Sequence, residues 1–160
     1  MRGVKAVTQA AEEGDVVTYD ARLWPRYSEE LRAERRAVMS SQLRRLNSAV
    51  AQELGCDRKA LSFAISSVRI PQDSNDGDEK GEGYLGLCVQ DDAGDYNCVF
   101  LWLTRGWSVT AVHEIVHAYV TDLTEDGVRL IMVALLRRLM ARQDLADLRV
   151  MLEMTLAGRW

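Results

Sequence analysis

No stretch of this 160-residue chain approaches the roughly 18 consecutive apolar residues that a membrane-crossing helix needs, so no membrane span is expected. Basic charge is not in excess. Lys and Arg number 20 against 24 Asp and Glu, a net charge of -4, which argues against a nucleic-acid binder that works by neutralising phosphates. Cysteine is sparse: three residues cannot all pair within one molecule and are too few for a disulfide scaffold, which fits a reducing compartment. The opening residues, MRGVKAVTQAAEEGDVV, carry no long apolar targeting core, and the expected location is the cytoplasm. What is present is ordinary for a folded domain, since 48 % of residues are apolar and the length suits one hydrophobic core. The expected organisation is a loosely ordered leader over residues 1–27 and a single domain over 28–160.

From Ser28, a candidate N-cap followed by two glutamates, apolar residues recur at Leu31, Val38, Met39, Leu43, Leu46, Val50 and Leu54, and Gly55 follows. This predicts one long amphipathic helix. Its other face carries Arg32, Arg35, Arg36, Arg44 and Arg45, which read as a solvated face with some pairing to Glu34. Phe63, Ile65 and residues 68–70 then suggest a strand ending at Pro71. The segment 72–83, QDSNDGDEKGEG, is rich in turn formers and acids and is expected to be a mobile loop; its spacing does not match a calcium loop. Residues 84–90 and 96–103 flank a short turn with Gly94 and predict an antiparallel hairpin. Centred on Ala93, that hairpin would place Leu85, Leu87 and Val89 on one face with Val99, Leu101 and Leu103, and Cys88 opposite Cys98, with both faces largely covered.

The chain's only two histidines, His113 and His117, stand four residues apart with Glu114 directly after the first. On a helix, positions i and i+4 lie one above the other, so both imidazoles can reach one zinc ion while the glutamate points toward water on that metal. The helix is expected over 109–120 with Ser108 as its cap, and Val112, Val116, Tyr119 and Val120 mostly opposite the histidines. A catalytic zinc needs a third protein ligand and an open position. With no third histidine and no suitably placed cysteine, a carboxylate must supply it. Thr124 can cap a further helix that begins at Glu125, the preferred ligand, while Asp126, Asp122 and Glu153 are alternatives. A last, unusually apolar helix, with Asp144 as cap and residues 145–156 as its body, either completes the core or presents a face to a second copy or a host protein.

The order of long helix, three strands, HExxH helix and glutamate-bearing helix resembles the minimal gluzincin fold. It is similar to the small ImmA/IrrE-like metallopeptidases common in phage and mobile elements. The resemblance spans about residues 28–140 in architecture, is specific at His113 to His117, and is loose at 125–136. It implies an α+β, zincin-like domain with a small three-stranded, mainly antiparallel sheet and one or two C-terminal helices. His113 and His117 would be metal ligands, Glu114 the general base, Glu125 the third ligand and Zn2+ the cofactor, with residues 99–103 as the strand edge along which an extended peptide adds. Two departures stand out. The interval from His117 to Glu125 is shorter than in most such proteins, and Arg129 stands where another acid is often found. The expected activity is zinc-dependent hydrolysis of a peptide bond in a protein or peptide substrate. The alternatives are a zincin scaffold that binds or regulates without turnover, such as a phage-encoded inhibitor of a host factor, and a helical interaction protein whose histidines are ordinary polar residues.

Overall fold

The computed structural model describes residues 14–71 and 83–156. Residues 1–13 of the expected leader, residues 72–82 of the expected acidic loop and the closing 157–160 lie outside the described residues. Among the described residues the chain runs β1 (Val16–Tyr19), α1 (Glu29–Leu54), β2 (Ser62–Ser66), β3 (Gly86–Gln90), β4 (Tyr96–Trp102), α2 (Trp107–Tyr119), α3 (Glu125–Met140), a 3-10 segment (Gln143–Leu148) and α4 (Arg149–Leu156). The class is α+β.

Helix α1 begins and ends where its residues dictate. The Ser28 hydroxyl accepts from the Leu31 amide, and Gly55 takes a left-handed φ of 70°, which returns its own amide to the last turn. The inner stripe buries Met39, Leu43, Leu46 and Val50. Its arginines are partly engaged within the chain: Arg32 and Arg36 pair with Glu29 rather than Glu34, and Arg45 binds Asp147 at 2.7 Å.

The sheet differs from the expected three-stranded, mainly antiparallel one. It has four strands in the order β1-β2-β4-β3, with β1 parallel to β2, β2 parallel to β4, and only β3 antiparallel to β4. The added strand comes from the expected leader. A run of four residues, Val16–Tyr19, is too short to show periodicity, yet α1 carries the chain across so that β2 returns beside it as a parallel neighbour. Asp15 secures the junction. Its buried carboxylate accepts from Asn47 at 2.8 Å and the Leu61 amide at 2.9 Å, and pairs with Arg58. Residues 68–70 do not extend β2; Ile70 makes an isolated bridge to Tyr84 instead.

The hairpin forms, but in a register one residue away from the symmetric one. Cys88 pairs with Val99 and Val89 with Cys98, with an irregularity beside Gln90. That extra residue moves the strand by one place and exchanges the faces of every side chain on it. Val99 and Leu101 therefore share the helix-facing side with Cys88 and Gly86, and are fully buried with Phe63 and Ile65. The opposite side is not covered to the same degree: Leu85 and Phe100 are 43 % and 37 % exposed.

Helix α2 lies against the covered face and touches β3, β4, α1, α3 and α4. Ten of its thirteen residues are buried, so it has no solvated side of the ordinary kind. Val109, Val112, Ile115 and Val116 are all inaccessible, each worth about 1.5–3 kcal/mol in burial. Ser108 is not its cap. The cap position is Gly106, and Ser108 sits inside the first turn with its hydroxyl buried and without a hydrogen-bond partner. Toward the C-terminus, Asp144 caps no helix but pairs with Arg142. Leu145, Leu148 and Leu152 are fully buried and complete the core, while Val150 and Met154 remain exposed. No helix among the described residues is long and apolar enough to cross a membrane.

Candidate metal centre

The HExxH residues fall within α2, and its 3.6-residue period places the His113 and His117 rings on the same side with centroids 4.9 Å apart. Glu125 comes to them by a tight reversal. The amides of Val120 and Leu123 bond back to Val116 and Val120, and Thr124 then caps α3 by accepting from the Gly127 amide at 3.1 Å. Glu125 is the first residue of α3. The short interval after His117 is therefore spanned by a turn, without a long connection.

The three side chains converge. Nε2 of His113 lies 3.0 Å from one oxygen of Glu125 and Nε2 of His117 lies 2.8 Å from the other, while the two nitrogens are 3.2 Å apart. Ligand atoms about 2.0–2.1 Å from a tetrahedral zinc lie roughly 3.3 Å from one another, so the spacing suits such an ion. The donor set points the same way. If each ring donates its Nε2 proton to Glu125, two N–H groups oppose each other at 3.2 Å, and a cation between deprotonated nitrogens removes that conflict. Burial, the dominant effect, pulls the His113 pKa below its ordinary value against the opposing pull of Glu125, which favours the neutral imidazole that binds metal. Among the described residues, the group of three potential ligands so assembled is His113, His117 and Glu125. Asp122, Asp126, Glu153 and the cysteines do not join it.

Glu114 points from the same helix into a drier setting. It is 8 % exposed, and burial, reinforced by the charge of Glu125, pushes its carboxyl up to about 8 against a hydrogen bond from the Cys88 backbone. Cys88 itself is a half-buried free thiol that burial raises to about 12, in keeping with a small apolar role.

These groups line a cleft of about 900 Å³ between β3 and the cleft-facing residues of α3. The bordering strand is not the expected one. Residues 99–103 belong mostly to β4, which lies inside the sheet between β2 and β3; the edge is β3. The Leu85 carbonyl accepts from the Trp102 amide, so by the alternation of an antiparallel ladder the backbone groups of Gly86 and Cys88 face away from β4. The Cys88 bond to Glu114 agrees with that direction.

Gly86 is the residue that sequence reading missed. A Cβ there would lie 2.6 Å from Cγ2 of Thr110 and 3.0 Å from Cγ of Glu114, so only glycine lets β3 come this close to the HExxH helix. Its signal was available as a lone glycine between Leu85 and Leu87 in a strand-like run. Polar side chains able to stabilise a developing negative charge also line the cleft, namely Tyr84, Tyr96 and Arg129. No family model, curated protein or solved structure matches this chain.

Proposed function

We propose that this protein is a zinc-dependent peptidase. One observation carries the reading: two imidazole nitrogens and a carboxylate converge at ligand spacing beside buried Glu114, in a cleft bordered by the edge strand β3, which has no partner strand on its outer side among the described residues. His113, His117 and Glu125 hold the ion. When bound, such a dication polarises an amide carbonyl, activates water near neutral pH and draws Glu114 back toward its ionised form. Glu114 takes the proton of the attacking water and passes it to the leaving amine. An extended peptide pairs with the outward backbone groups of Gly86 and the outward carbonyl of Cys88, which brings its scissile amide toward Glu114. The order of elements around the site supports a zincin-like arrangement, and three free cysteines suit an intracellular setting.

A scaffold that holds metal without turnover is the second reading. It draws on Arg129, a cation that lines the cleft close enough to oppose protonation of His113. Elemental analysis and a peptide-hydrolysis assay on zinc-loaded protein separate the two. One zinc per chain is expected, with Glu114→Gln retaining the metal and losing about 10²–10⁴-fold in turnover. Stoichiometric zinc with no hydrolysis of any peptide leaves the silent scaffold, and absence of zinc binding sinks both readings.

A further inference from the structure

We propose that Arg129 recognises a carboxylate on the substrate, so that the cleft takes peptides with a free C-terminus or an acidic side chain near the scissile bond. This rests on the peptidase reading above and names its substrate class.

Arg129 stands one helical turn after Glu125 on α3, and both line the cleft together with Met132, Val133 and Leu136 further along the same helix. It is the one Lys or Arg lining the cleft among the described residues. Other arginines of this chain are firmly held. Arg45 binds both oxygens of Asp147 at 2.7 and 2.8 Å, and Arg142 reaches Gln52, Glu53 and Asp144. Arg129 has a looser partner. Its ion pair is with Asp126 at 3.8 Å, with side chains 73 % and 91 % exposed, and a contact of that length and exposure is readily exchanged for another carboxylate. A guanidinium so placed keeps its planar donor fork available for two-point binding of a carboxylate.

Charge favours the same ligand. Among the described residues two carboxylates line the cleft, Glu114 and Glu125; a bound dication offsets both, and Arg129 then adds a positive charge beside the reacting amide. Within the helix its one ion-pair partner among the described residues is the exposed Asp126, three residues earlier. Arg129 lies near the N-terminus of α3, the end of a helix at which positive charge is disfavoured.

The test measures binding, so that it stands apart from turnover. Zinc-loaded Glu114→Gln protein, with and without Arg129→Gln, is titrated calorimetrically with three N-acetylated peptides of one apolar sequence: a C-terminal amide, the free C-terminal acid, and an amide with one internal glutamate. Zinc content is measured for each protein, and the wild type is assayed for hydrolysis of all three peptides. The expected result is tighter binding of at least one acidic peptide than of the neutral amide, and a loss of about tenfold or more in that preference on Arg129→Gln. Arg129→Lys should restore the charge but only part of the preference. Which acidic peptide responds identifies the source of the carboxylate. Equal weakening of all three peptides, or no preference in the parent protein, overturns the proposal. Failure to hydrolyse any peptide would instead remove the peptidase reading, and the binding data would still decide the role of Arg129.

Discussion

Helices α2 and α3 supply the same site in opposite ways. Helix α2 is enclosed on nearly every side and offers His113, Glu114 and His117 from a rigid, largely dry element, whereas α3 offers Glu125 and Arg129 from its first two turns, where both side chains are mostly exposed. The two proposed histidine ligands and the candidate base are thus held by the core. The position of Glu125, the proposed third ligand, depends on a cap and a turn. Rigidity on one side with looser closure on the other lets an ion enter without disturbing the packing that orients the histidines.

Breaking the rigid side should have the largest effect. Ile115, between the two histidines and inaccessible, should cost about 2–5 kcal/mol when truncated to Ala, whereas Leu130→Ala on α3, at 82 % exposure, should stay within about 0.5 kcal/mol. Denaturant unfolding of the metal-free protein checks both, and similar losses for the two would dissolve the contrast. Gly86→Ala tests the other wall of the cleft. Its new methyl meets Thr110 and Glu114 and must push β3 outward, with an expected cost of about 1–3 kcal/mol, zinc content preserved, and hydrolysis reduced. Undiminished activity in that variant would show that the closeness of β3 to Glu114 is not needed. The smallest effect sharpens the comparison from the α3 side: Thr124→Ala removes the cap bond to Gly127 and should cost about 1 kcal/mol. Because Glu125 is the next residue, zinc affinity measured by chelator competition should fall with it, while the same measurement on an exposed-surface control such as Leu130→Ala should not change.

Much of this was readable in one dimension because it depends on neighbours a few residues apart. The limits of α1 follow from Ser28 and Gly55, the start of α3 from Thr124, and the stacking of His113 over His117 from the helical period alone. Of the four acids weighed as a third ligand, Glu125 is the one whose carboxylate lies beside both imidazoles, while its role as a ligand belongs to the proposal. Features set by distant partners were not readable. Val16–Tyr19 is a strand only because β2 returns beside it, and β4 is internal only because β2 occupies its other side. The hairpin register turned on one extra residue near Gln90, a change too small for alternation to reveal, yet sufficient to put Cys88 rather than Leu87 on the side of the helices.

By itself, then, the order of residues determined the main helices, the caps at Ser28, Gly55 and Thr124, and the stacking of two imidazoles on one helix face, since hydrogen bonds and side-chain spacing within a helix are local. The tertiary structure alone decided which strand borders the cleft, that Gly86 permits its close approach, and that Glu114 is buried deeply enough to raise its carboxyl pKa. Those properties come from segments far apart in the chain excluding water from the same space, and no short window of sequence contains both sides of such a contact.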